Sequence, residues 1–402
     1  MTPSLSARGR AAPALEITPI SKIGTCLVTS HVLFPLSAFF ISAFPSTPQP
    51  LNPSTPQPLN PSTTQPLNRP TPKPPNPLGA PPMSAFFHIA RNTFRETLRQ
   101  PIFFLVLGTA LALIGIFPIF TLFVFREQVK LVVDSALATS LLFGWGAAAL
   151  AASHAISREI RTGTALLVLS KPVERGTFLA AKMAGVLAAL VLFMFLTSLA
   201  TLVAVRVARD QFQLDNRALG LYFATLAVGC AVGGVVNFSR RSSFPMAAVL
   251  GWLVLLPVTA LGVALLSPGG GDVPTGYEWE LLPALLLITL AALAMGALAT
   301  ALSTRLDLVP NVVLCTAIFL LGLMSDYLFG RHAGGSLLAA MLYAVIPNWQ
   351  LYWMADALAA HKPIPWDYVA WAAGYTVQFI ALFGLLAATL FHNREVGRQC
   401  LV

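Results

Sequence analysis

A charged segment between two long apolar runs holds most of the residues whose types suggest specific chemistry. It reads EIRTGTALLVLSKPVERGTFLAAK, from Glu159 to Lys182, and places two acidic and four basic residues around the apolar stretch 165–169. Charged groups orient a contact and apolar groups bury it, so this pattern suits docking onto another protein or onto lipid headgroups. Because no His, Cys or Asp stands in the segment, it lacks the paired groups of nucleophilic catalysis.

The segment can be read as a short helix between two bends. Gly163 can end the charged helix that leaves the second apolar run, since glycine accepts the left-handed conformation. Thr164 can cap a new helix over Ala165–Ser170, and Pro172 stops it. We therefore predict a short apolar helix parallel to the membrane. The proposed contact residues are Glu159, Arg161 and Arg175 for charge pairing and Leu166, Leu167 and Leu169 for apolar contact.

The remaining chemistry-bearing residues do not form a site in the sequence. His154 and Asp326 lie near the ends of apolar runs, and no Asp, Glu, Lys or Arg falls at the middle of one. This disfavours an ion-coupled carrier or channel, which needs such groups on its pathway. A membrane-embedded enzyme would need converging His, Asp, Glu or Cys groups. The four cysteines show no metal-ligand spacing, and we expect them to be structural, with no metal site and no disulfide framework.

The elements that position the charged segment must be membrane helices. The chain is 56% hydrophobic and 10% charged, with mean hydropathy +0.73, whereas soluble domains are about 25% charged. We predict an all-α, polytopic membrane bundle of about eight spans, since each run reaches about 20 residues. The predicted spans are Pro101–Phe125, Ser135–Ile156, Met183–Val205, Leu219–Phe238, Met246–Leu266, Leu281–Leu302, Asn311–Phe329 and Trp366–Phe391.

The distribution of basic residues predicts the orientation. With a cytoplasmic N-terminus, the inner segments carry thirteen Lys and Arg and the outer segments seven. Lys and Arg favour the cytoplasmic side, so both termini are expected inside. This bias accounts for most of the net charge of +9. No nucleic acid is expected as a partner, because the basic residues form no patch interleaved with exposed aromatics.

Two segments precede the spans. Residues 1–82 are predicted to be a disordered proline-rich tail, because PSTPQPLN recurs from Pro45 and such repeats build no core. The tail would be a flexible tether or a ligand for a proline-binding module; alternatively the start is misassigned and Met83 is the first residue. Residues 83–100 are predicted to be an amphipathic helix on the cytoplasmic membrane surface, or else a water-exposed leader helix. Its arginines recur four residues apart: Arg91, Arg95 and Arg99.

The charged segment resembles that of permease subunits of type-2 ATP-binding-cassette exporters. The resemblance lies in EIRTGT, LSKPVER and FLAAK, with support from IPNWQLYWMADAL before the last run and FHNREV after it. It covers residues 83–402 and is greatest to permeases linked to multicopper-enzyme maturation. Many members have six spans, and a faint repeat between Thr225 and Thr289 would explain two more as a duplicated helical hairpin.

The resemblance implies a function and partners. Residues 101–402 would be the transmembrane permease domain, and residues 157–182 would be its cytoplasmic coupling segment, which docks on the ATPase. No GxxxxGK[ST] pattern occurs in the chain, so ATP and Mg²⁺ are expected on a separate ATP-binding subunit. The chain itself would be a transport subunit with no catalytic residue and no cofactor of its own. A permease dimer in a plasma (inner) membrane, in contact with membrane lipids, is the expected assembly.

Overall fold

The described part of the chain is built from helices, as the apolar runs predict. The computed structural model describes residues 82–123, 128–161, 175–208, 214–266, 277–332, 334–360 and 362–392. Within these ranges the one β feature is an isolated bridge between Ala208 and Leu214. The long helices are α1 (Pro82–Arg99), α2 (Pro101–Phe120), α3 (Gln128–Ala152), α5 (Arg175–Val207), α6 (Asn216–Arg240), α7 (Phe244–Leu266), α8 (Tyr277–Ser303), α9 (Leu308–Leu323) and α13 (Trp366–His392).

Shorter helices connect the long ones. Helix α3 continues through a π-helix, Ser153–Ser157, into α4 (Arg158–Arg161). After α9 the chain forms α10 (Ser325–Leu328), α11 (Leu337–Val345) and α12 (Ala355–Ala359), with 3₁₀ turns at Gly330–His332 and Trp349–Tyr352.

The all-α membrane architecture is confirmed. Seven helices of the described chain are long and apolar enough to cross a membrane, or up to eight if one bent pair counts as a span. That pair is Leu308–Leu323 and Ser325–His332, which meet at 64°. It coincides with the predicted span Asn311–Phe329, so this one span is broken where the sequence predicted a continuous helix.

The break at Met324 packs against residues 347–350, which lie further along the chain. The Trp349 indole and the Pro347 carbonyl fill the space where a Cβ on Gly322 would lie, at 2.3 and 2.5 Å. Two carbonyls freed by the break accept side-chain donors: Gly322 from Ser325 Oγ at 2.9 Å and Leu323 from Gln350 Nε2 at 2.8 Å. Satisfying such groups is what makes a kink tolerable at membrane depth.

Helices α3, α5 and α8 form the centre of the bundle. In the most apolar stretch of each of these helices more than half of the residues are buried, whereas in α6, α7 and α13 a third or fewer are. The GxxxG glycines pack α6 on α7: the Trp252 indole lies against Gly229, and Ala248 lies against Gly233. Without side chains at these positions the two backbones approach closely. The glycines of the segment GCAVG, Gly229–Gly233, therefore serve packing within one subunit.

Helix α1 is attached to the bundle through α5. A Cβ on Gly185 would lie 2.6 Å from the Ala90 carbonyl oxygen and 2.7 Å from Thr93 Cβ. Thr97 and Leu98 are buried on the same side of α1, while its three arginines are exposed. The predicted amphipathic helix is thus present as a helix. Its apolar face is divided, since Leu98 is buried and Phe87 remains 64% exposed; its placement on a membrane surface stays a prediction.

Candidate functional site

The predicted coupling segment begins where α3 leaves the bundle, and that end is a π-helix. Ser153–Ser157 adopt the wider π turn between α3 and α4. Single π turns inside α-helices are found at functional sites and at points where a helix changes direction. His154 lies in this turn, and both of its ring nitrogens are buried without a hydrogen-bond partner among the described residues.

Polar side chains from α9 hold the π-helix. Asn311 is fully buried and donates from Nδ2 to Ser153 Oγ at 2.7 Å. Ser157 Oγ donates to Asp307 Oδ1, at the start of α9, at 3.1 Å. These two bonds fix both ends of the five-residue turn, so the end of α3 is tied to the beginning of α9.

A buried ion pair joins the two flanks of the predicted coupling segment. Lys182 in α5 donates from Nζ to Glu159 Oε1 in α4. The Lys182 side chain is 3% exposed and that of Glu159 19%. Nζ also lies 5.8 Å from the centre of the Phe178 ring, where the ring face favours a cation. An ammonium with so little access to water requires this neutralisation, so the pair holds α4 against α5.

Helix α1 contributes a second carboxyl group to the same place. Burial raises the pKa of Glu96 above its ordinary value. The Lys182 ammonium lowers this pKa, the Glu159 carboxylate raises it further, and the Arg158 guanidinium lowers it. Three helices thus bring charges together: α1 with Glu96, α4 with Arg158 and Glu159, and α5 with Lys182. We call the residues Glu96, Ser157, Glu159, Lys182 and Asp307 the anchor cluster.

The anchor cluster includes one residue of the predicted site, Glu159. The ion pair uses Glu159 within the chain, and its pairing with a partner protein stays a prediction. Arg161 is the last residue of α4 and Arg175 the first of α5, and residues 162–174 between them lie outside the described part of the chain. The other predicted docking residues lie outside the described residues: Gly163, Thr164, Leu166, Leu167, Leu169 and Pro172.

Several residues that hold this site were not predicted from the sequence. Lys182 was seen as one charge of the segment, but not as a buried partner of Glu159. Glu96, Asp307 and Asn311 were not singled out. Glu96 is the acidic residue in a helix of basic charges, and Asn311 stands in an otherwise apolar run. Buried polar groups require partners, so both departures from pattern were available signals.

Chemically, the anchor cluster can position a segment, and nothing in it forms a metal centre. Among the described residues no group of three or more His, Cys, Asp or Glu could hold a metal ion. Cys230 and Cys315 are free thiols in α6 and α9.

A protein-family model matches a large part of the chain. The family model described as ABC-2 family transporter protein matches residues 82–332, which is more than half of the chain. The match begins at α1, includes the anchor cluster and ends with the 3₁₀ turn Gly330–His332, the last part of the bent pair. No curated protein matches the chain.

Proposed function

The chain belongs to the ABC-2 family of transporter proteins, and we propose that it is the permease subunit of an exporter that is driven by ATP hydrolysis in a separate subunit. Permeases of this family are membrane transport subunits that work with an ATP-binding subunit. The nucleotide and Mg²⁺ would be bound by that partner. The proposed assembly is a permease dimer in an inner membrane with both termini cytoplasmic.

One observation carries the proposal: a buried ion pair joins the two ends of the connection between α4 and α5. Glu159 and Lys182 lie on either side of residues 162–174. Buried ion pairs do not favour folding over apolar packing, but their geometry is specific. A connection that only crossed the surface would not need this bracing. A segment that transmits force from a partner to α3 and α5 does.

The mechanism follows from this bracing. We propose that the short helix Ala165–Ser170 docks on the ATP-binding subunit, with Leu166, Leu167 and Leu169 in apolar contact and Arg161 and Arg175 at its margins. Closure of two ATP-binding subunits would move this helix as a rigid body. The ion pair would transfer the motion to α3 and α5 together, tilting spans between inward-open and outward-open arrangements.

The test is a charge introduced into the proposed contact. Leu166→Asp should place a carboxylate in a desolvated interface, weakening association with the ATP-binding subunit by several kcal/mol. Gly163→Val should act through backbone strain of roughly 1–3 kcal/mol. Membrane insertion should be unchanged. The measurements are co-purification with the ATP-binding subunit and substrate-stimulated ATP hydrolysis.

The matched control is Val309→Asp, which adds the same charge at an exposed position in the first turn of α9. An acidic residue is tolerated there because it lies at a helix N-terminus. If Leu166→Asp protein co-purifies with the ATP-binding subunit and stimulates it as well as the control does, residues 165–170 are not the docking element.

Two finer proposals rest on the same family membership. A reporter fused after Val402 should be active on the cytoplasmic side, and cysteines placed in residues 268–280 should be labelled from outside without permeabilisation. Labelling only after permeabilisation would contradict this orientation.

The likeness to permeases linked to multicopper-enzyme maturation rests on IPNWQLYWMADAL and FHNREV. Loss of activity of such an enzyme on deleting the gene would support it.

A further inference from the structure

A groove between α6 and α7 has the form of a binding site for one elongated apolar molecule. It encloses about 480 Å³, which is within the usual range for small-molecule sites. Its walls are aliphatic, with Val232 on α6 and Leu250 and Val254 on α7. Leu250 and Val254 are also exposed on the outside of the bundle, so the groove lies at the surface that faces lipid.

The chemistry of the groove changes at one end. Arg99, the last residue of α1, lines it together with Ser242 and Ser243. Both serine hydroxyl oxygens are buried and have no hydrogen-bond partner among the described residues. Ser243 precedes α7, and its carbonyl accepts the bond from Ala247 N at 3.2 Å. The N-terminus of α7 therefore lies at this end, where the helix dipole favours an anion, with the N–H groups of Phe244 and Met246 as donors because Pro245 has none.

The dimensions of the groove match one leaflet of a bilayer. Ser242 and Val254 are twelve positions apart, which along a helix is about 18 Å at 1.5 Å per residue. Half of a bilayer's hydrocarbon core is about 15 Å. A ligand with its head at Arg99 and its tail at Val254 would reach from the surface to the bilayer midplane.

We propose that this groove binds one anionic phospholipid, with its phosphate at Arg99 and the two serine hydroxyls and one acyl chain along α6 and α7. Arg99 supplies a guanidinium that can donate two parallel hydrogen bonds to phosphate oxygens. The two hydroxyls supply further donors, and the aliphatic walls replace neighbouring acyl chains. The polar end lies on the predicted cytoplasmic side, where anionic lipid is attracted by basic side chains. A free phosphate would leave the aliphatic walls uncovered.

The same contact would connect the lipid to the transport machinery. Arg99 terminates α1, and α1 carries Glu96 into the anchor cluster. A bound headgroup would therefore hold the end of α1 against α7 and steady the helix that packs on α5 at Gly185. Lipid binding itself does not depend on the proposed ATP-driven function, so the two can be tested separately.

The experiment is native mass spectrometry of the full chain in detergent, titrated with dioleoyl phosphatidylglycerol or with dioleoyl phosphatidylcholine. These lipids share acyl chains and differ in headgroup charge. One phosphatidylglycerol per chain should be retained at concentrations where phosphatidylcholine is not. Arg99→Gln should weaken retention about fivefold, whereas Arg95→Gln, the exposed arginine one turn earlier on α1, should leave it unchanged.

A second pair of variants tests the apolar part independently of charge. Ala247→Leu adds volume inside the groove and should reduce retention of phosphatidylglycerol. Ala231→Leu makes the same change at an exposed position of α6 outside the lining and should not. Equal retention of the two lipids, or equal effects within either variant pair, would overturn the proposal. Displacement of phosphatidylglycerol by millimolar inorganic phosphate would also overturn it, because the site would then bind phosphate without a chain.

Discussion

The ion pair between Lys182 and Glu159 should be asymmetric when it is broken. Glu159→Gln leaves an ammonium whose side chain is 3% exposed, whereas Lys182→Met leaves a carboxylate that is 19% exposed. The carboxylate can therefore reach water, whereas the ammonium has little access to it. The two variants therefore compare the cost of leaving the ammonium without its partner with the cost of leaving the carboxylate without its partner.

The magnitudes follow from that difference in exposure. Removing one partner of a fully buried pair costs about 3–5 kcal/mol. Glu96 lies near enough to interact with Lys182 and should offset part of the loss, so we expect about 2–3 kcal/mol for Glu159→Gln. Lys182→Met keeps the aliphatic volume and should cost about 1 kcal/mol. The double variant, which lacks both members of the pair, should also cost about 1 kcal/mol, giving an interaction energy of about 2–3 kcal/mol in magnitude.

The assay is the free energy of unfolding in mixed micelles, measured for the two single variants and the double variant, with co-purification of the ATP-binding subunit as a second readout. Adding Glu96→Gln to Glu159→Gln should increase the loss further, because Lys182 then has neither carboxylate. Additive single effects, or a larger loss for Lys182→Met than for Glu159→Gln, would refute the reasoning that burial of the ammonium dominates.

Two further predictions concern how α1 is attached. Gly185→Ala should destabilise the protein by about 1–3 kcal/mol through overpacking against Ala90, and it should speed tryptic cleavage within α1. Gly176→Ala, which has open space around it, should have neither effect. Equal cleavage of the two variants would contradict the tight contact at Gly185. Because burial raises the pKa of Glu96 above 4.5, the folded protein binds that proton more tightly than the unfolded chain. Stability should then fall as pH rises from about 4.5 through the raised pKa. Glu96→Gln should remove this component and the exposed-acid variant Glu280→Gln should not; an unchanged pH profile in Glu96→Gln would contradict it.

The spans could be predicted from the sequence because length and apolar composition decide whether a helix crosses a membrane. Both properties are local, and seven of the predicted runs are continuous membrane-length helices. The break at Met324 could not be predicted, since its causes lie far along the chain. Trp349 fills the space beside Gly322, and Gln350 binds the carbonyl of Leu323. The apolar composition of one run does not specify such contacts.

The site shows the same limit in another form. The charges of the segment 159–182 indicated docking, and Glu159 was assigned to charge pairing with a partner protein. The structure turns Lys182 inward, because it lies on the side of α5 that faces α4, where Phe178 and Glu159 are within reach. Asn311 and Ser153 are 158 residues apart and form one hydrogen bond. Contacts of this kind depend on how the helices pack, and periodicity within one helix does not specify partners on another.

The π-helix Ser153–Ser157 lies between the packed part of α3 and the joined pair of α4 and α5. Below it, Lys182 and Glu159 join α4 to α5, so these two segments move together. Above it, α3 is packed in the centre of the bundle, with Ala147, Ala148 and Ala151 buried. The joined pair α4–α5 on one side and the packed part of α3 on the other leave Ser153–Ser157 as the place where α3 can bend, since π turns are found where helices change direction. The bonds from Asn311 and to Asp307 span this turn. A displacement of the coupling segment would therefore load the start of α9 first, and through it the bent pair at Met324.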